Sequence, residues 1–154
     1  MSNDQLVRVI DFWRKTAVAG RLYPRRISEK INLNSRAIID VIGPRQAGKS
    51  SVLKLIIKNM ADQGNWLYVN FEDPFFVENS RSQIVEELID TFKEYYSPDL
   101  KHLFFDEIQN IENWEKVIRK LHESGNYRIF ITGSSSKMLS RELSSLLTGR
   151  HLSY

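Results

Sequence analysis

The segment Gly43-Pro44-Arg45-Gln46-Ala47-Gly48-Lys49-Ser50 is a complete G-x-x-x-x-G-K-[ST], set between an apolar run and an amphipathic stretch. Such a loop works only where a strand delivers it and a helix leaves it. Its N–H groups must curl inward around a phosphate, and the helix N-terminus must add its partial positive charge. The pattern therefore predicts a sheet covered by helices before any other residue is considered. Lys49 is expected to reach the β- and γ-phosphates of a nucleotide. Ser50 offers a hydroxyl oxygen to Mg²⁺, a hard cation that takes oxygen ligands. The run Gly43, Pro44, Arg45, Gln46, Ala47, Gly48, Lys49 and Ser50, continued by Ser51, is the expected phosphate cradle. For Arg45 two readings stay open: a solvated side chain, or a contact to phosphate or to a neighbouring subunit.

From residue 37 onward short apolar runs alternate with longer amphipathic ones, the signature of βαβ units around a mostly parallel sheet. Strands are expected over residues 37–42, 66–71, 100–105 and 127–132, each followed by polar residues or glycine. Helices are expected over 50–60, over 84–92 behind a capping box of Ser80 and Gln83, over 114–121, and over 139–147. The resulting class is α/β, a three-layer α/β/α P-loop arrangement. Residues 1–36 read as a helical lead-in packed on the core, with helices near 4–13 and 27–31, and 37–154 as the P-loop domain.

A chain of 154 residues can bury enough surface for one such domain. The absence of cysteine removes disulfides and thiolate chemistry, and the three histidines, His102, His122 and His151, lack metal-ligand spacing. Lys+Arg 22 against Asp+Glu 19 leaves +3, with the two signs interspersed, so the charge neither demands nor forbids nucleic acid. No stretch approaches the ~20 apolar residues of a membrane span, and the N-terminus lacks a basic segment ahead of an apolar one. A cytoplasmic protein with no membrane partner is expected.

The third strand ends in Leu103-Phe104-Phe105-Asp106-Glu107, which delivers two carboxylates to the carboxyl edge of the sheet, where ligands of α/β folds bind. Asp106 is expected to hold Mg²⁺, usually through water. Glu107 is expected to accept a proton from the water that attacks the γ-phosphorus, which marks hydrolysis more than transfer to a second substrate. The fourth strand ends in Thr132-Gly133-Ser134-Ser135-Ser136. Thr132 or Ser134 could sense the γ-phosphate, whereas the serine run could equally cap a helix. Asn70, ending the second strand, either restrains Glu107 or forms an Asx turn before Pro74. Tyr23 and Arg26 either border an adenine pocket or serve packing and surface roles.

With these pieces in place, the chain resembles the N-terminal ATPase module of a prokaryotic, especially archaeal, family in the AAA+ superfamily. The resemblance rests on residues 43–50, on Asn70-Phe71-Glu72-Asp73, on Phe104-Phe105-Asp106-Glu107-Ile108-Gln109, on Ile131 to Ser136, and on Leu147-Thr148-Gly149-Arg150. It implies an ATP- and Mg²⁺-dependent ATPase of the AAA+/ASCE type, a sheet of order 5-1-4-3-2 or a close variant, and a sensor at Thr132 or Ser134. Arg150 matches a Gly-Arg motif of that family and would serve as a second sensor or an arginine finger. Members usually continue for a couple of hundred residues into a C-terminal domain of unknown function. The implied ligands are ATP and ADP. A homo-oligomer and an unknown protein or nucleic-acid partner stay open.

Three functions compete. The first is an ATP-hydrolysing module that couples nucleotide state to a partner. The second is a nucleotide-binding switch without turnover. The third is a helicase-like fragment, suggested by Asp106-Glu107-Ile108-Gln109, although a helicase needs a second RecA-like domain. No Asn-Lys-x-Asp guanine-reading motif and no Leu-Ser-Gly-Gly-Gln signature occurs.

Overall fold

In the computed structural model, residues 2–23, 26–33, 35–44, 47–60, 64–134 and 151–154 are described. The elements are α1 (Asn3–Val18), α2 (Arg26–Lys30), β1 (Ile38–Ile42), α3 (Lys49–Asn59), β2 (Trp66–Asn70) and α4 (Pro74–Glu78), followed by α5 (Gln83–Tyr95), β3 (His102–Asp106), α6 (Trp114–Glu123), β4 (Arg128–Gly133) and β5 (His151–Ser153). A single 3₁₀ turn, Ile108–Asn110, follows β3. The five strands form one parallel sheet of order β2-β3-β4-β1-β5. This is the expected order 5-1-4-3-2 read from the other edge.

The strands are apolar without alternation because both faces of the sheet are covered. Side-chain period two divides each strand between two cores. Leu67, Val69, Leu103, Phe105, Ile129 and Ile131 pack with α5, α6 and the first turns of α1. Ile39, Val41, Trp66, Tyr68, Phe104 and Phe130 pack with α3 on the opposite face. In that second core the Phe104 and Phe130 rings stack with centroids 4.6 Å apart. The expected three-layer α/β/α architecture is what the chain adopts.

The N-terminal helix α1 runs five residues beyond the expected stripe and lies over β2, α5 and α3. Its far end is fastened by Arg14, whose guanidinium donates to the Trp66 carbonyl and sits 4.1 Å over the Trp66 ring. The edge strand β2 is thereby shielded by a helix, one of the ways proteins protect a sheet edge. Among the described residues no helix is long and apolar enough to cross a membrane.

Two local expectations need correction. Ser80 and Gln83 form no capping box: α5 starts at Gln83 behind Ser82, with no side-chain cap. The reason is that residues 74–78 form α4, capped by Asp73 Oδ1 accepting from Phe75 N at 2.9 Å. Ser80 then falls in the connection and donates from Oγ to Glu112 Oε1 at 3.0 Å. In addition, β5 pairs with β1 beyond the four strands read from apolar runs. Asp40, buried in the middle of β1, accepts from Ser153 Oγ at 2.6 Å and so anchors it. The helix expected over 139–147, with Arg150, Arg45 and Gln46, lies outside the described residues.

Candidate nucleotide site

The loop between β1 and α3 turns at Gly48, whose φ of 86° is in the left-handed region that glycine enters without steric cost. Gly43 is less demanding, since a Cβ there would meet Ala47 Cβ at an ordinary 3.6 Å. Lys49 opens α3 and is buried; its Nζ donates to the carbonyls of Gly43 at 2.7 Å and Pro44 at 2.8 Å. The ammonium therefore lies along the loop itself. Ser50 and Ser51 follow in the first turn of α3, both partly buried.

At the end of β3, Asp106 is fully buried and each of its oxygens has a donor. Tyr68 OH, from β2, donates to Oδ2 at 2.7 Å, and Thr132 Oγ1, from β4, donates to Oδ1. A carboxylate offers about four lone-pair positions, so two remain for water or metal. Thr132 spends its only proton on Asp106 and accepts the Glu107 N–H at 2.9 Å. It braces β4 against the end of β3.

Tyr68 ties β2 to the acidic end of β3. It is opposite Phe104 in the β2–β3 register, with Asp106 one diagonal step further on the same face. The ring spans that step. Its hydroxyl donates to Asp106. Burial first, and then the charge of Asp106, pushes its proton loss far above the ordinary tyrosine range, so it stays a donor.

Glu107 adopts a left-handed backbone, φ 54° and ψ 48°, and is nearly buried. Its Oε2 accepts from Gln109 Nε2 at 2.6 Å, and the same amide nitrogen lies 3.1 Å from Ser134 Oγ. Asn70 does not take that position: its Oδ1 accepts from Glu72 N at 2.8 Å, the Asx turn. Tyr23 and Arg26 are exposed. Tyr68 was passed over by the motif reading, and Gln109 stood in it only as a motif letter without a role. A hydroxyl in the otherwise apolar run Trp66-Leu67-Tyr68-Val69 was the available signal, because a buried tyrosine must find a polar partner.

Among the described residues no group of three or more His, Cys, Asp or Glu side chains could hold a metal ion. What the strand ends offer instead is an all-oxygen pair, the Ser50 hydroxyl and the Asp106 carboxylate, with a helix N-terminus beside it. That donor chemistry fits Mg²⁺ with phosphate oxygens and water completing its shell.

Comparison with known proteins bears on the family and the fold. An uncharacterized protein of Methanocaldococcus jannaschii is 41% identical over 124 residues, covering 80% of this chain and 27% of its own length. An uncharacterized protein of Haemophilus influenzae is 35% identical over 131 residues, covering 82% and 32%. The chain thus spans less than a third of the curated relatives it matches. Two solved structures share the fold: Saccharomyces cerevisiae RIF2, with TM-score 0.56 and 15% identity over 100% of this chain and 63% of that one, and Caenorhabditis elegans PCH-2, with TM-score 0.51 and 16% identity over 99% and 43%. A family model described as an AAA domain matches residues 35–154. With the loop, the parallel sheet and that match together, the chain belongs to the AAA domain family and is a P-loop ATPase-like module of the AAA+ kind.

Proposed function

We propose that the chain binds ATP with Mg²⁺ and hydrolyses it, and that nucleotide state is passed to a partner. The observation that carries this reading is the parallel sheet in which β1 and β3 end on the same side, β1 running into the glycine loop and β3 ending in the buried Asp106. It brings the phosphate loop and the acidic strand end to one edge of the sheet.

In this reading the α3 N-terminus, the loop amides and Lys49 hold the β- and γ-phosphates, the last by exchanging its carbonyl contacts for phosphate oxygens. Ser50 and Asp106 hold Mg²⁺, which supplies charge neutralisation between the phosphates. Glu107 takes a proton from the attacking water as the bond from the γ-phosphorus to the leaving ADP oxygen breaks. Ser134 takes the sensing role in preference to Thr132, whose proton is committed to Asp106. Arg150, and Arg45 in the loop, are the candidates for a cationic contact to the γ-phosphate from this copy or a neighbouring one.

Glu107→Gln should retain ATP binding and lose phosphate release. Lys49→Ala should weaken binding about 10- to 150-fold, because a charge-assisted contact worth about 1.5–3 kcal/mol is removed. Unchanged equilibrium binding by Lys49→Ala would overturn the site assignment. The second reading, a switch without turnover, draws support from the Gln109 contact that keeps the Glu107 carboxylate occupied. It predicts no phosphate release from the wild-type chain to lose.

A further inference from the structure

The starts of the strands form a second edge of the sheet, opposite the candidate nucleotide site, and it gathers basic residues that lie far apart in the sequence. Arg36 precedes β1, Lys101 leads into His102 at the start of β3, Tyr127 leads into Arg128 at the start of β4, and His122 stands near the end of α6. Together they line a cavity of about 740 Å³, and no acidic side chain is among its described lining residues.

The parallel register sets His102 directly opposite Arg128. Like charges placed opposite each other across a ladder repel. Burial first, and then the charge of Arg128, accordingly hold the His102 imidazole below the ordinary histidine range. The positive field of this edge is thus felt by the protein's own side chain. Among the described residues only Lys101 of the three permanent cations has a carboxylate partner, Asp99 at 3.4 Å, in a pair exposed on both sides and so worth little. Arg128 donates to a neutral group, the Leu33 carbonyl. His122 Nε2 donates to the Arg36 carbonyl at 3.1 Å, a contact that leaves the Arg36 guanidinium uninvolved. The other ring nitrogens, His102 Nδ1 and His122 Nδ1, are buried with no hydrogen-bond partner.

Neighbouring strands lie about 4.8 Å apart, so β3, β4 and β1 set Lys101, Arg128 and Arg36 in a row about 10 Å across at the backbone. Such a row suits successive phosphates of one chain better than a single phosphate group. Duplex grooves are read by a projecting helix or ribbon, whereas a recess at strand ends admits a single strand. Tyr127 adds a ring to the lining, and bases stack on such rings without regard to sequence. An acidic polypeptide could offer carboxylates to the cations but has no base for the ring.

From this geometry we infer that the strand-start edge is a binding site for single-stranded nucleic acid, held through its phosphodiester groups by Arg36, Lys101 and Arg128 without base specificity. The inference is independent of the nucleotide reading, because the two sites lie at opposite ends of the strands.

The test is fluorescence anisotropy of a labelled oligothymidylate of about 16 nucleotides, titrated with the chain at salt concentrations from about 50 to 200 mM. With about three phosphates neutralised, log K should fall against log salt with a slope of about −2, a loss of about 20-fold across that range. Arg36→Gln with Lys101→Gln removes two of the three cations. Both side chains are exposed, so the fold should persist, as circular dichroism would report. The slope should flatten to about −0.7, and affinity at the lowest salt should fall about tenfold or more. Arg8→Gln, on α1 and outside the cavity lining, should bind as wild type does. No binding by wild type at the lowest salt, an unchanged slope in the double variant, or an equal loss in Arg8→Gln would overturn the inference. Displacement of the oligonucleotide by millimolar Mg-ADP would also overturn it, by putting the strand in the phosphate loop. So would polyglutamate competing as well as unlabelled oligonucleotide, which would make the cavity a dock for acidic polypeptide.

Discussion

Glu107 holds a non-glycine side chain in left-handed backbone at the end of β3, with φ 54°. Such a conformation costs an L-residue with a β-carbon on the order of 1–2 kcal/mol, and it persists because the surroundings hold it. Here the Thr132 hydroxyl accepts the Glu107 N–H, and Gln109 binds the carboxylate. If the strain is real, Glu107→Gly should be more stable than Glu107→Ala by about 1 kcal/mol, since both lose the carboxylate and only alanine keeps the β-carbon. Urea midpoints of the two variants measure the difference, and equal midpoints would show an unstrained turn. The placement of Asp106 and Glu107 at the end of a strand was legible because an uninterrupted apolar run leads straight into two carboxylates. Their supports were not, since Gln109 and Tyr68 matter through a side-chain direction and a strand register that a linear pattern does not contain.

Helix α1 shows how an element can be legible in kind and not in extent. The stripe of Leu6, Val9, Ile10 and Trp13 marks an amphipathic helix, and Leu6 and Ile10 are indeed buried. The helix continues to Val18 because Arg14 and Ala17 also face the sheet, the first by stacking its guanidinium on Trp66 and the second by packing in the α3 core. An arginine buried by stacking looks like a surface residue in a periodicity count. The same blindness produced the capping box at Ser80, where serine and glutamine had the right spacing but α4 had already taken the preceding residues. Trp13 is the contact through which α1 reaches the site, touching both Tyr68 and Asp73. Trp13→Ala should destabilise the chain by about 2–4 kcal/mol, the range for truncating a large, mostly packed aromatic together with its hydrogen bond. Denaturant unfolding checks the number. A change under 0.5 kcal/mol would mean that α1 is held by Arg14 and the apolar stripe without it.

At the scale of the molecule, the parallel order β2-β3-β4-β1-β5 brings to one edge the residues that the sequence keeps far apart. Four apolar runs were enough to give the class, because a strand buried on both faces needs an uninterrupted apolar run. The fifth escaped because β5 has three residues and one apolar side chain, Leu152, and is held through Asp40 in the middle of β1. The consequence of this order is that the candidate site sets the N-terminus of α3 at the same edge as the ends of β3 and β4, where Tyr68, Asp106 and Thr132 are bonded together. A ligand there binds only when all of these are folded, so it should raise the stability of the whole sheet and not of one loop. With ATP and Mg²⁺ at a hundred times the dissociation constant, mass action adds about 2.7 kcal/mol. For a domain of 154 residues this corresponds to a rise in Tm of roughly 5–10 °C. Scanning calorimetry should show one transition moving upward as a unit in wild type and by no more than about half as much in Lys49→Ala under the same conditions. Two transitions, of which only one responds, would mean that the nucleotide edge unfolds separately from the rest of the sheet. An equal shift in Lys49→Ala would place the ligand elsewhere on the molecule.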